Sequence, residues 1–168
     1  LKVSKSAFFI TLTYEDENLP MNDGVATLDK KDVQDFMKRL RHTQNEKIRY
    51  YISGEYGPNT WRPHYHGIIF NIIGSKSVVE NKLFEAWKKG FISIGNVTKG
   101  RIRYVSGYIV NKQEFVDFEA LGLQAPFALM SRRPGIGADY IDKMKKWHQA
   151  TDERFYYAEN SQKKTLPR

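Results

Sequence analysis

An α+β fold, built on a central antiparallel sheet flanked by helices, is what this sequence predicts, and three observations predict it. Two stretches, from Lys47 to Glu55 and from about Pro63 to Ile73, alternate in character with the period of a strand, and Gly57-Pro58-Asn59 marks the break between them. Other stretches repeat their apolar residues at helical spacing. The two kinds are mixed along the chain, and the strand-to-strand connections are tight, which favours a sandwich with an antiparallel sheet.

The first strand is expected at Ala7-Phe8-Phe9-Ile10-Thr11-Leu12-Thr13-Tyr14, which is β-branched and aromatic and gives way to a polar stretch from Glu15 to Gly24. Asp29 can cap a helix whose apolar face is Val33, Phe36, Met37 and Leu40 and whose opposite face carries Lys38, Arg39 and Arg41. In the strand from Lys47, the residues Ile48, Tyr50 and Ile52 share one face, and Glu55 lies off it. In the strand from Pro63, His64, His66, Ile68 and Phe70 face one way and Tyr65, Gly67 and Ile69 the other. Ser77-Val78-Val79-Glu80 reads as a capping box opening a second helix, with Leu83, Phe84 and Trp87 on it and Gly90 as its stop. Phe91 to Val97 reads as a short strand. A third helix then places Ile102, Val105 and Ile109 on one stripe, with Tyr104, Tyr108 and Lys112 four apart along its flank. Beyond Gln113 the pattern weakens until a last helix from Asp139 to His148.

At 168 residues the chain suits one domain with a full core. Its net charge of +8 attracts polyanions, either nucleic acid or anionic lipid, and an aromatic content of 14% among basic residues suits base stacking as well as core packing. With no cysteine, disulfides, thiolate metal sites and cysteine nucleophiles are excluded, so any metal must be held by His, Asp or Glu. No apolar run reaches the roughly 20 residues that span a bilayer. Leu1-Lys2-Val3-Ser4-Lys5 is no signal peptide, and a cytosolic location is expected. The sequon Asn96-Val97-Thr98 is accordingly given no role.

Two histidines at i and i+2 on a strand have Cα atoms about 6.7 Å apart and point the same way, so His64 and His66 can meet on one cation. A solvated or hydrogen-bonded pair without a ligand is the plain alternative. Glu55, on the preceding strand, is placed to add an oxygen ligand, and a two-histidine, one-carboxylate face with open positions suits Mn²⁺ or Mg²⁺. His42 and His148 have no companions at useful spacing and read as surface residues.

These motifs resemble those of the HUH endonucleases, whose fold is RRM- or palm-like, and more closely those of the replication initiators of microviruses. Phe9-Ile10-Thr11-Leu12-Thr13-Tyr14 resembles the first motif of that family. Gly54-Glu55-Tyr56-Gly57 and Arg62-Pro63-His64-Tyr65-His66-Gly67 resemble its metal motif, and Tyr104-Val105-Ser106-Gly107-Tyr108-Ile109-Val110-Asn111-Lys112 its tyrosine motif. Met130-Ser131-Arg132-Arg133-Pro134-Gly135-Ile136-Gly137 resembles the gokushovirus branch.

The resemblance implies a metal-dependent nickase of single-stranded DNA at a replication origin. It would leave a 5′-phosphotyrosine on Tyr104 or Tyr108 and a free 3′-hydroxyl for rolling-circle synthesis in the cytoplasm of a bacterial host, where host replication proteins are possible partners. Because the chain begins at Leu1 rather than Met and ends at Leu166-Pro167-Arg168, residues 1–168 are expected to be a single domain excised from a longer replication protein. Many relatives with one tyrosine have Tyr-x-x-Lys, whereas Lys112 stands four after Tyr108 and eight after Tyr104, which favours the two-tyrosine branch and Tyr108 for the first cut. Ordinary core packing is the alternative for both tyrosines. A tyrosine of ordinary pKa is ionised about one part in a thousand at neutral pH, so presenting phenolate costs about 4 kcal/mol, part of which a nearby lysine can recover.

Thr13, Trp61, Arg62, Tyr65, Arg132 and Arg133 are the candidate DNA contacts: the aromatics by stacking unpaired bases, the arginines by binding phosphate, while the basic helix around Lys38, Arg39 and Arg41 is expected to attract DNA electrostatically. Tyr65, facing away from the histidines, can equally be core, and Arg132 and Arg133 can equally be solvated surface. Gly135-Ile136-Gly137 lacks the Lys-Ser/Thr of a phosphate-binding loop and reads as a turn. Two other readings stand beside the nickase: a non-catalytic module for single-stranded nucleic acid, and a transposase or mobilisation nuclease of the same chemistry.

Overall fold

Five of the strands hydrogen-bond into one antiparallel sheet. The computed structural model describes residues 4–111, 116–133, 135–151, 155–157 and 163–165, with side chains described at all of these except 108–111, 139, 141, 155–157 and 163–165. In chain order the strands are β1 (Ala7–Thr13), β2 (Met21–Asn22), β3 (Val25–Ala26), β4 (Arg49–Tyr56), β5 (Pro63–Phe70), β6 (Ile92–Asn96), β7 (Phe127–Met130), β8 (Phe155–Tyr157) and β9 (Lys163–Thr165). The helices are α1 (Lys30–Arg41), α2 (Lys76–Trp87), α3 (Lys99–Asn111) and α4 (Ala138–Thr151). The sheet runs β6-β1-β5-β4-β7, while β2 with β3 and β8 with β9 form separate two-stranded ribbons. Taken alone, β1-α1-β4-β5-α2-β6 is a βαββαβ unit with its first and third strands at the centre, the arrangement of ferredoxin-like and RRM-type sheets.

The pleat divides the sheet into two chemically different faces. Ile10 and Leu12 of β1, Ile52 of β4 and Ile69 of β5 point to one side, where they are buried with Val33, Phe36, Met37 and Leu40 of α1 and Val79, Leu83, Ala86 and Trp87 of α2. Each such side chain, fully buried, adds roughly 1.5–3 kcal/mol. On the other face Phe9, Ile68 and Val105 of α3 form a much smaller cluster. Gly67 lets β5 close on β4, because a Cβ there would come within 2.6 Å of Ile52 Cγ1 and 3.0 Å of the Tyr51 carbonyl.

Asp29 caps α1, accepting from the amides of Lys31 at 2.7 Å and Asp32 at 3.3 Å. Behind the sheet a polar chain fastens β1 and β5 to this helix start. Tyr14 donates to Asp32 (2.9 Å) and meets Tyr65 (2.7 Å), Tyr65 bonds the backbone of Asp29, and Lys89 pairs with Asp32 at 3.0 Å.

Several expected boundaries move. The cap of α2 is Ser75, whose hydroxyl accepts from the Val78 amide, so Ser77 lies inside the first turn. The helix ends at Lys88 in the left-handed conformation, two residues before Gly90. β5 stops at Phe70, because Asn71 turns left-handed at φ 65°. Ile102 is 46% exposed and leaves the expected stripe of α3, whereas Val105 is 1% exposed; Ile109 falls among the side chains outside the described ones. The basic side of α1 is also corrected. Arg39 donates to the carbonyls of Ala86 (2.6 Å) and Trp87 (3.3 Å), tying α1 to the end of α2, and Arg41 lies over the Tyr50 ring.

Candidate active site

Register brings the site together. β4 and β5 pair with Glu55 opposite His64 and Ser53 opposite His66, while β1 pairs with β5 so that Thr13 stands opposite His64 and Thr11 opposite His66. All of these lie on the face away from α1 and α2. His64 Nε2 and His66 Nε2 each lie 3.1 Å from Glu55 Oε1. One ligand atom from each of the three residues lies within 4.8 Å of the others, a group that can hold a metal ion.

The donors suit a cation. Glu55 is only 4% exposed, yet its Oε2 is buried and makes no hydrogen bond among the described residues. A lone buried acceptor is costly unless a positive centre satisfies it. The Arg62 carbonyl, 3.1 Å from His64 Nδ1, can only accept, so Nδ1 carries a proton and Nε2 is the atom that faces Glu55. Thr11 Oγ1 lies 2.9 Å from His66 Nδ1 and holds the orientation of that ring, while Phe9 stacks on it at 5.7 Å.

The charges are coupled. Burial pushes the Glu55 carboxyl up, but hydrogen bonds and charge from His64 and His66 outweigh it and hold the group at about 2. Burial pulls His64 down, but its bonds to Glu55 and to the Arg62 carbonyl carry it above the ordinary histidine value.

Tyr104 reaches this cluster from α3. Its hydroxyl donates to Glu55 Oε1 at 3.2 Å and lies 3.3 Å from His66 Nε2, with the ring edge-on to His66 at 5.0 Å. The residue is 39% exposed. Tyr14 and Tyr65 differ sharply, since burial drives both phenols well above the ordinary tyrosine range and hides them. Tyr108 follows one turn later on α3, but its side chain, like the whole of Lys112, lies outside the described residues.

The other expected contacts separate. Trp61 is exposed, held in the left-handed conformation at φ 54° beside Tyr56 and Phe118. Arg62 pairs with Asp16 at 2.7 Å and donates to the Tyr14 carbonyl at 2.8 Å, fastening the loops on either side of the histidines. Tyr65 is corrected as a stacking residue: at 0% exposure, with its hydroxyl committed to Tyr14 and Asp29, it offers no ring to a base. Arg132 and Arg133 are exposed just past β7. Thr13 is half-buried at the end of β1. His42 is exposed at the C-terminal end of α1, whereas His148 is half-buried and bonds Tyr140 at 3.0 Å. Sequence reasoning passed over Thr11, because which residue of β1 faces His66 depends on a register that periodicity does not fix.

Residues 7–113, which include the triad and the tyrosine helix, match the family of the replication-associated protein ORF2. The chain belongs to this family. Among its relatives, replication-associated protein ORF2 of Spiroplasma virus 4 is 31% identical over 159 residues, covering 84% of this chain and 49% of the relative. Replication-associated protein VP4 of Bdellovibrio phage phiMH2K is 29% identical over 168 residues, covering 88% and 51%. Replication-associated protein ORF4 of Chlamydia phage 1 is 31% identical over 123 residues, covering 61% and 30%. The chain thus spans about half the length of the first two relatives. No solved structure matches it. The microvirus resemblance is borne out by these relatives. No helix among the described residues is long and apolar enough to cross a membrane.

Proposed function

We propose that this domain of the ORF2 replication-protein family nicks single-stranded DNA at a phage replication origin through a tyrosine and holds the 5′ end covalently. One observation carries the reading: the Tyr104 hydroxyl lies within 3.3 Å of two members of a three-residue metal-ligand group. A nucleophile beside a divalent-cation site is what phosphoryl transfer to tyrosine needs.

Glu55, His64 and His66 would hold the cation, Mn²⁺ or Mg²⁺. When bound, it supplies positive charge to the scissile phosphate and to the oxygens that attack and leave. The remaining work belongs to the chain. Glu55 Oε1 accepts the Tyr104 proton in a hydrogen bond and so aims the phenol oxygen's lone pairs away from the carboxylate. In the cut, the phenol gives up its proton as its oxygen forms a bond to phosphorus, the bond to the 3′ oxygen breaks, and the departing oxygen takes up a proton, so that no proton is gained or lost overall. No energy source is needed, because one phosphodiester replaces another. Lys112, four residues after Tyr108 in the sequence, would favour phenolate.

The contacts of Tyr104 with Glu55 and His66 support it for the first cut, in place of the Tyr108 that lysine spacing favours. Tyr108 then serves the second, after displacement synthesis has regenerated the origin. Trp61, exposed and three residues before His64 in the sequence, is suited to stack an unpaired base, and Arg132, Arg133 and Thr13 to meet the backbone. The phage relatives support replication initiation inside a bacterial host, where the free 3′-hydroxyl would be a primer for host replication proteins.

Incubation with single-stranded origin DNA and Mn²⁺, followed by a denaturing gel, tests the reading. Wild-type protein forms a covalent adduct, Tyr104→Phe loses most of it, Tyr108→Phe retains more, and the double variant forms none. An adduct persisting in the double variant places the nucleophile elsewhere. DNA binding with no adduct from wild type, at any metal concentration, replaces the nickase with a binding module.

A further inference from the structure

Nothing in the triad itself explains why α3 sits at the rotation that brings Tyr104 over it. The residue one turn earlier does. Arg101 donates through Nη1 to the Asn96 carbonyl at 2.7 Å, and its guanidinium carbon lies 4.9 Å from the centre of the Phe9 ring. Phe9 is the same ring that stacks on His66. Beneath the guanidinium is Gly95, paired with Phe9 across β1 and β6. A Cβ at position 95 would stand 2.9 Å from Arg101 Cζ and closer still to Nη1, so the glycine is there for space. Thr98 caps the same turn, its hydroxyl accepting from the Arg101 amide at 3.2 Å.

We propose that Arg101 is a positioning residue: seated over Phe9 and Gly95, it sets where α3 presents Tyr104 to Glu55 and His66. An arginine serving only as solvated charge needs neither a glycine slot nor an aromatic floor. A lysine cannot replace it, because the planar guanidinium both stacks and donates sideways. The consequence for cleavage rests on the reading of Tyr104 as nucleophile; the placement of its ring does not.

The two are separated by labelling the intact chain with 3-fluorotyrosine at position 104 alone and recording its fluorine resonance without metal. In wild type the ring stands against His66, so the resonance differs from that of the denatured protein. Arg101→Ala moves it at least halfway to the denatured position. Gly95→Ala does the same by evicting the guanidinium, and adding Gly95→Ala to Arg101→Ala changes nothing more, since no guanidinium remains to displace. An unmoved resonance in Arg101→Ala, or additive shifts in the double variant, overturns the proposal.

In single-turnover cleavage at saturating DNA, Arg101→Ala slows adduct formation about tenfold or more, as small misplacements of a reacting group do. Its DNA affinity and its Mn²⁺-induced thermal shift stay within about twofold of wild type. A loss confined to DNA affinity, with a flatter salt dependence, makes Arg101 a phosphate contact and sinks the positioning role. If Tyr104→Phe forms as much adduct as wild type, the nucleophile assignment falls, while the fluorine result still decides where Arg101 holds the ring.

Discussion

With Mn²⁺ held by the triad as proposed, raising the pH increases the stabilisation that the cation would give, and the size of the effect follows from His64. Its Nδ1 is committed to the Arg62 carbonyl, so a proton and a cation compete for Nε2. In the metal-free protein, His64 sits above its ordinary 6.5, so its pairing with Glu55 stabilises the fold fully below that value and fades as pH rises through the raised one. The Glu55 share is present above its ordinary 4.5 and is lost as pH falls through about 2. Metal binding runs the other way on the histidine, because only neutral imidazole is a ligand. At a metal concentration of about 100 Kd the fold gains about 2.7 kcal/mol. For a chain of this length that is roughly 5–11 °C in Tm. Below the His64 pKa each pH unit raises the apparent Kd about tenfold and removes about 1.4 kcal/mol, or roughly 3–6 °C. Thermal melts at fixed Mn²⁺ between about pH 5.5 and 8, each against a metal-free control, measure this directly. The expected shift grows with pH and levels off, and His64→Ala loses most of it. A shift of equal size at both ends of the range, or one undiminished in His64→Ala, refutes the competition at Nε2.

Thr11→Val keeps the shape of the strand but removes the bond to His66 Nδ1. Mn²⁺ affinity, followed by calorimetric titration, falls about 10–100-fold, as it does when outer ligand partners are lost; an unchanged affinity means that the Phe9 stack alone orients the ring. Arg132→Ala with Arg133→Ala weakens binding to unrelated single strands alike and reduces the slope of log affinity against log salt by about 0.7 for each phosphate no longer neutralised. An unchanged slope in fluorescence anisotropy titrations leaves these arginines as solvated surface.

The parts of the site that depend on period alone were legible in the sequence. His64 and His66 share a face because strands alternate, and no packing detail alters that. Glu55 stands opposite His64 through the register of β4 and β5, which here follows from a loop closed by Gly57 and Arg62 backbone bonds; proximity was readable, but direct opposition was not. Strand β7 went unseen because Phe127 to Leu129 are half-buried and the segment is held by pairing with Tyr51 to Gly54 at the sheet edge, a contact remote in sequence. Ser75 and Ser77 are chemically equivalent caps, and Ser75 takes the role although Glu80 completes a capping box with Ser77. The basic flank of α1 looked like a DNA surface because charge has no periodicity to say which side of the sheet a helix lies on. The core of that helix puts it behind the sheet, away from the triad.

The bonds joining Tyr14, Tyr65, Asp32 and Asp29 also decide which part of the site is able to yield. Tyr65 lies between the two histidines in sequence, and its hydroxyl pins the middle of β5 to the start of α1 from behind. Any shift of that strand would break buried hydrogen bonds, so the metal ligands act as a fixed anvil. Helix α3 is the lighter partner, with Val105 its buried residue among those described. The proposed cycle, in which one tyrosine is exchanged for another and two DNA ends enter and leave, would therefore draw its compliance from the helix and leave the sheet at rest.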